Sequence, residues 1–578
     1  MDANTTSNDN TAVGYNALTT ANGADYCTAV GQGALALTTT GDHNTAIGFA
    51  SMNANTTGDS NTAVGNYSLD ANTTGAYNVA IGYGALDSNT TASYNTGLGF
   101  KTGQVITTGD LNTALGAQAM YSTTTGGSNT AIGVNALMDN TTGVNNIAIG
   151  VSALTDNSTG SHNVGIGVSA LEKPTGANYN TAIGWEAIKQ NTSGEHNTAT
   201  GYRALQDNTT GDRGTAFGAF ALNNNTTGIR NVAVGYNALG NNTTGQYNTA
   251  MGAYALDAQT EANSNTAVGY FAMTSTTTGT GNTSIGFQSA YAITTGQYNV
   301  GVGYEALEAN TTGNYNTAVG HRALEANTTA HENTAIGSGA LYSHTGGAGN
   351  TAVGQNSLVL STDGVGNTCI GHDALYDLTT GIYNSGLGKL AGKAITTGEY
   401  NTCVGYRAGD YNAPITTGIR NVMIGAYANT AAADDEYSIA IGYNAPGKGD
   451  QTLMVGSVAN GVYHSGNTTT WSTTSDERVK KNIVDNNTGL DILNQIQVRN
   501  FEYRTEDEII DFDNPKSAVV KKEGQQLGVI AQELEKILPE CVKTQSTGVK
   551  TVDSDNLTWY LINAVKELSA KVTALESA

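Results

Sequence analysis

A short alternation of polar and apolar residues recurs along most of the chain. The motif Asn-Thr-Ala-Val-Gly-Tyr-Asn-Ala-Leu begins at Asn10, and close variants begin at residues 44, 78, 146, 180, 231 and 316. Its glycine occurs at residue 14 and then at every seventeenth residue as far as 405, after which the spacing is 20, 17 and 14 residues. A fixed period of this length predicts a solenoid, in which successive repeats stack as coils.

Each period has a half that favours a strand and a half that favours a turn, usually Asn-Thr-Thr-Gly. A helical hairpin needs a longer period, whereas short strands with such corners suit one coil of a β-solenoid. We number the positions of a coil 1 to 17 from the motif's asparagine, so that the coil 44–60 has Gly48 at position 5 and Gly58 at position 15. Position 15 is expected at a corner that needs positive φ. With a rise of about 4.8 Å, about 26 coils would form a rod about 125 Å long.

Two neighbouring positions of the predicted strand are both apolar. Position 4 is Val, Ile or Leu almost throughout, with Thr200, Phe217 and Met251 as exceptions, whereas position 3 is nearly always Ala. Adjacent strand residues point to opposite faces, so both faces should be covered. We expect position 4 to be buried inside the coil and the small position 3 to allow close approach of a neighbour. This favours three chains side by side, although a second layer of the same chain would also fit, and the variable position 6 is expected to face solvent.

The uniformity of the repeat leaves its register weakly specified. Any coil can pair with any other at a shift of 17 residues, because the same residues then lie opposite each other. A rod of several such chains is therefore expected to need something that aligns them.

The composition changes near residue 475. Charged residues make up about 9% of residues 1–474 but about 30% of residues 475–578, and such a shift marks a domain boundary. We therefore predict a solenoid stalk over 1–456, a tip or linker over 457–474 and a second domain over 475–578.

The charge and the scattered reactive residues exclude several classes of function. A net charge of −23 argues against nucleic acid and anionic membranes, which bind through Lys and Arg. The sequence has no long apolar run and no signal peptide, so membrane insertion is not expected. The four cysteines form no CxxC pair and are interpreted as free thiols, and the eight histidines lack ligand spacing. We predict neither a metal site nor a cofactor.

Three blocks of the C-terminal segment match a known domain in order. "SDERVKKNIVDNNTGLDILNQIQVRNFEY", "QLGVIAQELEKILPECV" and "GVKTVDSDNLTWYLINAVKEL" together resemble the intramolecular chaperone of endosialidases and of many phage tail fibres and tail spikes. The resemblance covers residues 475–578 and implies a small α+β domain that trimerises and templates folding of the β-structured stalk. It also implies that the domain is then released by its own serine peptidase activity.

The resemblance implies a Ser/Lys dyad at the start of this domain. Ser475 would be the nucleophile, Lys480 its base, and the cut would lie between Ser475 and Asp476. The base must lose its proton through desolvation or nearby cations, for which Arg478 and Lys481 are suitable. On spacing alone the segment is also consistent with a solvated basic turn. The reaction would occur once per chain, so no external substrate is expected.

The end of the chain has the spacing of a short coiled coil. Its apolar residues alternate steps of four and three, which is typical of a heptad seam between trimer subunits, and they are Leu561, Val565, Leu568, Val572 and Leu575. An amphipathic helix packed on its own domain would show the same pattern.

The stalk is similar to the heads of trimeric autotransporter adhesins, whose coils also carry N-[ST]-x-A-[IV]-G strings. With the C-terminal resemblance, we favour a homotrimeric phage tail fibre, and a bacterial surface adhesin is the alternative. The fibre would be made in the host cytoplasm, become extracellular in the virion, attach to another virion protein at its N-terminus and bind a host receptor or glycan. We expect receptor contacts where the period breaks, at Tyr443, Tyr463, His464 and Trp471.

Overall fold

The computed structural model describes residues 6–458, 461–465, 480–509, 520, 522–545 and 548–578. The chain divides into two compact units, Met1–Thr473 and Thr474–Ala578. Each unit is described by itself.

The first unit is a β-solenoid in which every coil contributes one short strand. The strands are β1 Thr11–Val13, β2 Thr28–Val30, β3 Thr45–Ile47, β4 Thr62–Val64, β5 Val79–Ile81, β6 Thr96–Leu98, β7 Thr113–Leu115, β8 Thr130–Ile132, β9 Ile147–Ile149, β10 Val164–Ile166, β11 Thr181–Ile183, β12 Thr198–Thr200, β13 Thr215–Phe217, β14 Val232–Val234, β15 Thr249–Met251, β16 Thr266–Val268, β17 Thr283–Ile285, β18 Val300–Val302, β19 Thr317–Val319, β20 Thr334–Ile336, β21 Thr351–Val353, β22 Thr368–Ile370, β23 Ser385–Leu387, β24 Thr402–Val404, β25 Val422–Ile424, β26 Ile439–Ile441, β27 Thr452–Val455 and β28 Val462–Ser465.

Consecutive strands pair in parallel, each shifted by one coil. Thr11 lies opposite Thr28 in β1 and β2, and the same register continues through the regular coils. The coil that begins at Asn401 holds three extra residues, so Thr402 lies opposite Val422. β28 runs antiparallel to β27 and ends the stack. The predicted solenoid is confirmed.

The interior of each coil is narrow and is filled by positions 3, 8 and 9. In the coil 61–77, Ala63 and Leu69 are fully buried. A side chain at position 9 packs over position 3 of the next coil, since a Cβ at Gly97 would lie 3.0 Å from Leu86 Cγ. Position 3 is therefore small because the position 9 side chain occupies the adjoining space.

The expectation that position 4 is buried inside the coil is wrong. Position 4 points outward, and Ile183 is 39% and Phe217 59% exposed, whereas position 3 is buried in nearly every coil. The alternation of the strand was predicted correctly, but the two faces were interchanged. The interior has room for the side chain at position 9 and an alanine, and it has none for a second large side chain at position 4.

A buried asparagine column at position 1, and a second one at position 12 in about half of the coils, join each coil to the next. In the coil 44–60, Asn44 Nδ2 donates to the Gly58 carbonyl at 2.7 Å, and Asn55 Nδ2 donates to the same oxygen at 3.1 Å. Asn44 Oδ1 accepts the backbone N–H of Asn61 from the next coil at 2.9 Å. Each asparagine thus closes its own coil and bonds its neighbour, which meets the hydrogen-bonding demand of buried polar groups.

The glycine at position 15 does not have positive φ, so that expectation is also wrong. In another coil, position 15 is occupied by Ala92. The residue at position 15 must be small because asparagine side chains of both columns lie against its carbonyl. The positive φ that requires glycine belongs to position 5, where φ lies between +126° and +145° in every regular coil, whereas non-glycine residues at positions 7, 9 and 17 have φ between +48° and +63°. A Cβ at Gly252 would lie 2.3 Å from the Gly269 carbonyl oxygen.

Substitutions inside the coil conserve its volume. Where position 9 is glycine, position 12 changes from a polar residue to isoleucine, as in the pair Gly103 and Ile106 and the pair Gly392 and Ile395. Both isoleucines are fully buried, and a Cβ at Gly103 would lie 2.9 Å from Ile106 Cδ1. The isoleucine therefore fills the space left by the missing position 9 side chain, as close packing requires.

The second unit is a small α+β domain, as predicted. Its helices are α1 Leu490–Leu493, α2 Ala531–Leu534 and α3 Ser554–Glu576, its strands are β29 Arg499–Phe501, β30 Gln526–Gly528, β31 Val542–Thr544 and β32 Lys550–Val552, and 3-10 turns lie at Glu506–Glu508 and Pro539–Cys541. The strands form two antiparallel pairs, β29 with β30 and β31 with β32. Among the described residues, no helix has both the length and the apolar character needed to span a bilayer.

We predict that Gly252→Ala destabilises the solenoid far more than Gly349→Ala. Gly252 has φ +140° and no space for a Cβ, whereas Gly349 has φ +71° and nothing within 4 Å of its Cβ position. The first change should cost at least about 3 kcal/mol through strain and overlap, and the second about 1 kcal/mol through backbone strain alone. Equal unfolding temperatures for the two variants would contradict the described stacking of position 5.

Candidate functional site

The solenoid has one apolar face on its outside. It consists of the side chains at positions 17, 2, 4 and 6, which we call the outer strand face. Most of the exposed large hydrophobic side chains of the first unit lie on it, including Tyr77, Ile81 and Tyr83 around a single strand. Single exposed apolar residues are ordinary on protein surfaces, but a continuous stripe marks an interaction site.

Aromatic rings form ladders along both borders of this face. At positions 6 and 7, nine successive coils each contribute a ring with centroids 4.9–6.4 Å from the next one, and the rings are Trp185, Tyr202, Phe220, Tyr236, Tyr254, Tyr270, Phe287, Tyr304 and His321. At position 17, Tyr179 stacks between His162 and His196 at 5.0 Å each. These ladders were not predicted from the sequence, although the recurrence of aromatic residues at a spacing of 17 is visible there.

The opposite side of the coil is polar and its threonines are engaged in the solenoid itself. At position 13, Thr56 Oγ1 donates to the Thr73 carbonyl at 2.9 Å, and Thr73 Oγ1 donates to the Thr90 carbonyl at 2.9 Å. These bonds repeat along most of the rod. These threonine side chains thus lie away from the outer strand face.

Ion pairs flank the aromatic ladder. Glu186 is 8% exposed and accepts hydrogen bonds from Lys189 at 2.7 Å and Arg203 at 2.9 Å. Burial alone would raise the pKa of Glu186, but the two cations lower it below its usual value. The Arg203 guanidinium also lies 4.8 Å from the Trp185 ring.

One cluster of carboxylates has the spacing of a cation site. Glu305, Glu308 and Glu325 each offer an oxygen within 4.8 Å of the others. Arg322 pairs with Glu305 at 2.8 Å and with Glu325 at 3.3 Å. Burial and the neighbouring carboxylates raise the pKa of Glu308. The arginine already balances part of the charge, so the cluster is an ion-pair network.

The cysteines lie in the core. Cys369 and Cys403 are fully buried at position 3, and burial raises the pKa of each to about 12. Nucleophilic thiol chemistry requires an accessible thiolate, so these residues serve as small core side chains.

The predicted processing residues are only partly covered by the described structure. Lys480 is described and its side chain is exposed. Ser475 and Asp476, and the predicted receptor contact Trp471, lie outside the described residues. The structure therefore places one member of the proposed dyad.

The other predicted receptor contacts do not share one environment. Tyr443 is 68% exposed and continues an aromatic ladder, 5.9 Å from Tyr427. Tyr463 packs against the end of the hydrophobic core and pairs across the β27–β28 hairpin with Met454, while His464 pairs with Leu453. Tyr463 and His464 thus belong to the hairpin at the end of the stack.

The second unit has a small core of its own. It is centred on Leu534, Leu538 and Cys541, and α3 is fixed to the preceding segment by Asn563 Nδ2, which donates to the Asn486 carbonyl at 2.7 Å. The predicted seam lies on α3, and all five of its residues are exposed, namely Leu561, Val565, Leu568, Val572 and Leu575. The described part of the domain therefore leaves the seam largely uncovered.

Comparison with protein families identifies this unit. Residues 475–543 match the family model described as chaperone of endosialidase. The C-terminal unit carries a chaperone of this family. The chaperone domain follows a β-solenoid directly, which fits a fibre or spike protein with an intramolecular chaperone. Comparison with curated proteins and with solved structures found no match.

In one coil, a histidine stands at position 12, where the second asparagine column runs. His344 occupies position 12 and is fully buried, and its Nε2 lies 2.6 Å from the Gly347 carbonyl. Within the described residues, its Nδ1 has no hydrogen-bond partner, and neither have Asn327 Oδ1 and Ser361 Oγ on the adjoining coils. Burial lowers the pKa of His344, and the Gly347 carbonyl and Asp363 offset only part of this effect.

We predict that His344 makes the solenoid sensitive to acid. Because its folded pKa is below its unfolded value, its contribution to stability is present above pH about 6.5 and is lost as the pH falls further. His344→Asn places there the residue of the preceding coils and removes the titration. Thermal unfolding at a series of pH values should show the variant gaining stability over wild type as the pH falls.

The comparison between the two proteins is needed because other groups act in the opposite direction. Burial raises the pKa of Asp257, so acid favours its folded form in both proteins. A difference in unfolding temperature that stays constant from neutral to acid pH would contradict the role given to His344.

Proposed function

We propose that this protein is a homotrimeric tail fibre that binds a host surface, and that its C-terminal chaperone domain templates the trimer and is then removed by autoproteolysis. The observation that carries the proposal is the outer strand face, an apolar stripe that runs along the whole solenoid and has no cover in the single chain. A chain with such a stripe, followed by a chaperone of this family, requires partners of its own length.

The exposed apolar surface supports assembly of the stalk. Isoleucine, valine and leucine at position 4 form one column, and exposed aromatic ladders border it. Removing apolar surface from water yields about 25 cal/mol per Å², and the stripe repeats in every coil. Three copies with these faces toward a common axis would cover it, while the polar threonine side would remain in water.

The chaperone domain supports the same assembly from the other end. Its seam residues are exposed at heptad spacing on α3, and its own buried core is small for its length. A seam of about two heptads is too short to hold helices together alone. Joined to the domain, it would bring three chains together before the stalk folds and would set their register.

The processing reaction would be coupled to assembly. Lys480 is exposed in the single chain, and a lysine acts as a base only where its surroundings favour the neutral amine. Packing of three chaperone domains would supply such surroundings. Lys480 would then take the proton from the Ser475 hydroxyl as its oxygen attacks the carbonyl carbon at the junction with Asp476. The C–N bond would break as that proton passes to the leaving amine of Asp476, and water would hydrolyse the resulting ester, so that cleavage follows assembly.

The host-binding role would use the end of the stack and the surface left outside the trimer. Tyr443 lies at position 6 of the outer strand face, so it would contact a host only where the copies leave the C-terminal end of that face uncovered, and Lys448 lies 5.7 Å from the Tyr463 ring at the same end. Aromatic rings beside polar groups are typical of surfaces that bind glycans or proteins. The proposed partners are a host receptor or glycan and, at the N-terminus, another virion protein.

We predict that Ile183→Asp prevents trimer formation and that Ser193→Asp, in the same coil, does not. Ile183 lies at position 4 on the outer strand face, whereas Ser193 is exposed on the polar side. Three carboxylates facing one axis would lose their hydration without partners, which costs several kcal/mol. Size-exclusion chromatography with light scattering should give three chains for wild type and for Ser193→Asp. A wild-type protein with the mass of one chain would refute the proposal.

We predict that purified wild-type protein runs on a denaturing gel as two fragments separated at Ser475, and that Ser475→Ala and Lys480→Ala stay full length. Lys536→Ala is the control, since it removes an exposed lysine of the same domain that has no role in the proposed dyad, and it should still be cleaved. Full-length wild-type protein after folding, or cleavage of Ser475→Ala, would exclude the dyad.

A further inference from the structure

The outer strand face contains one segment where its repeat is broken. At position 4, the residue is Val, Ile or Leu in every described coil except three, and those three are Thr200, Phe217 and Met251. They fall within four successive coils, with Val234 between Phe217 and Met251. The departures are therefore concentrated in a single segment of the rod.

Position 6 changes in step with position 4 in these coils. The pairs at positions 4 and 6 are Thr200 with Tyr202, Phe217 with Ala219, Val234 with Tyr236 and Met251 with Ala253. A ring or long side chain at one position thus accompanies a small residue at the other, and the two arrangements alternate from coil to coil. Where position 6 is alanine, the ladder ring moves to position 7, as Phe220 and Tyr254 show.

Volume exchange of this kind indicates a packed environment. Close-packed interiors tolerate substitutions that conserve volume and resist those that leave holes or overlaps. In the single chain the rings of Phe220 and Tyr254 continue the ladder beside the alanines at position 6, but the described residues leave position 4 uncovered, since Phe217 is 59% and Met251 44% exposed. A covering surface must therefore lie against positions 4 and 6 of these coils.

The period of the face identifies what covers it. An occupant that contacts every coil must repeat with the same rise of about 4.8 Å over the length of the solenoid. A second copy of this chain has that rise and the same alternating segment. Resting on the homotrimer proposed above, we infer that the four coils beginning at residues 197, 214, 231 and 248, which we call the register segment, fix the alignment of the three copies.

The alternation explains how alignment would be enforced. In register, the three Phe217 side chains share one level with three small Ala219 residues, and the levels on either side have the reverse arrangement. A slip of one coil would set Phe217 of one copy beside Tyr202 or Tyr236 of another. A slip of two coils would set Phe217 of one copy beside Ile183 and Trp185 of another copy, or beside its Met251, with the two copies at different heights along the axis. The uniform coils elsewhere do not distinguish these states.

The inference can be tested by disulfide cross-linking at a distant coil. Val319→Cys places a thiol at position 4, and the four native cysteines are buried, so mild oxidation should link only the introduced thiols. A disulfide requires Cα atoms within about 7 Å. Equivalent residues around the axis meet this condition in register, and residues displaced by two coils do not.

The register segment is then erased in the full chain by four changes that remove the alternation at positions 4 and 6. Phe217→Val with Ala219→Tyr, and Met251→Val with Ala253→Tyr, give both coils the Val and Tyr that the coil between them has at these two positions. The matched control is Ile183→Val with Ile285→Val. We expect the linked fraction at residue 319 to fall at least threefold in the erased protein and to remain unchanged in the control.

Each outcome has a distinct meaning. Cross-linking of the erased protein at the wild-type level would overturn the register segment and leave the trimer intact. A trimer by light scattering that gives no wild-type cross-link at residue 319 would show that position 4 does not face its equivalents, which also overturns the inference. A wild-type protein with the mass of one chain would instead refute the proposed function.

Discussion

The narrow interior of each coil is the constraint on which the rest of the structure depends. One side chain at position 9, small residues at positions 3 and 8 and two asparagine columns fill it completely. Asn44 illustrates the closure, because its amide bonds the carbonyl of Gly58 in its own coil and the N–H of Asn61 in the next. Gly48 lets successive backbones approach where any Cβ would overlap the coil below.

This closure determines what the outside must do. Adjacent strand residues still point to opposite faces, so the apolar side chain at position 4 is directed outward. In successive coils these side chains form a stripe whose exposure to water is unfavourable. A single chain can thus build its own interior but leaves its outer strand face uncovered. The proposed assembly of copies would cover this face, and the chaperone domain at the C-terminus would align chains whose coils are nearly uniform.

The sequence predicts the period, the strands, the domain boundary and the nature of the C-terminal domain, because these depend on local spacing and on motifs. The sequence does not predict which face of the strand lies inside. Alternation shows that Ala182 and Ile183 point to opposite faces, but it does not show which of them points into the coil. The decisive information is Leu171 of the preceding coil, which packs over position 3 and is distant in the sequence. The exchange of Gly103 with Ile106 and of Phe217 with Ala219 could have been found by comparing coils position by position.

The central claim is that the outer strand face is buried between copies, and the oxidation rate of Met251 tests it most directly. Met251 is 44% exposed in the single chain, Met273 is fully buried in the core, and Met138 lies on the polar side of its coil with partial exposure. Peroxide converts accessible methionines to sulfoxides, which mass spectrometry of wild-type peptides can follow. The account predicts that Met251 reacts as slowly as Met273. Oxidation of Met251 at the rate of Met138 or faster would contradict it.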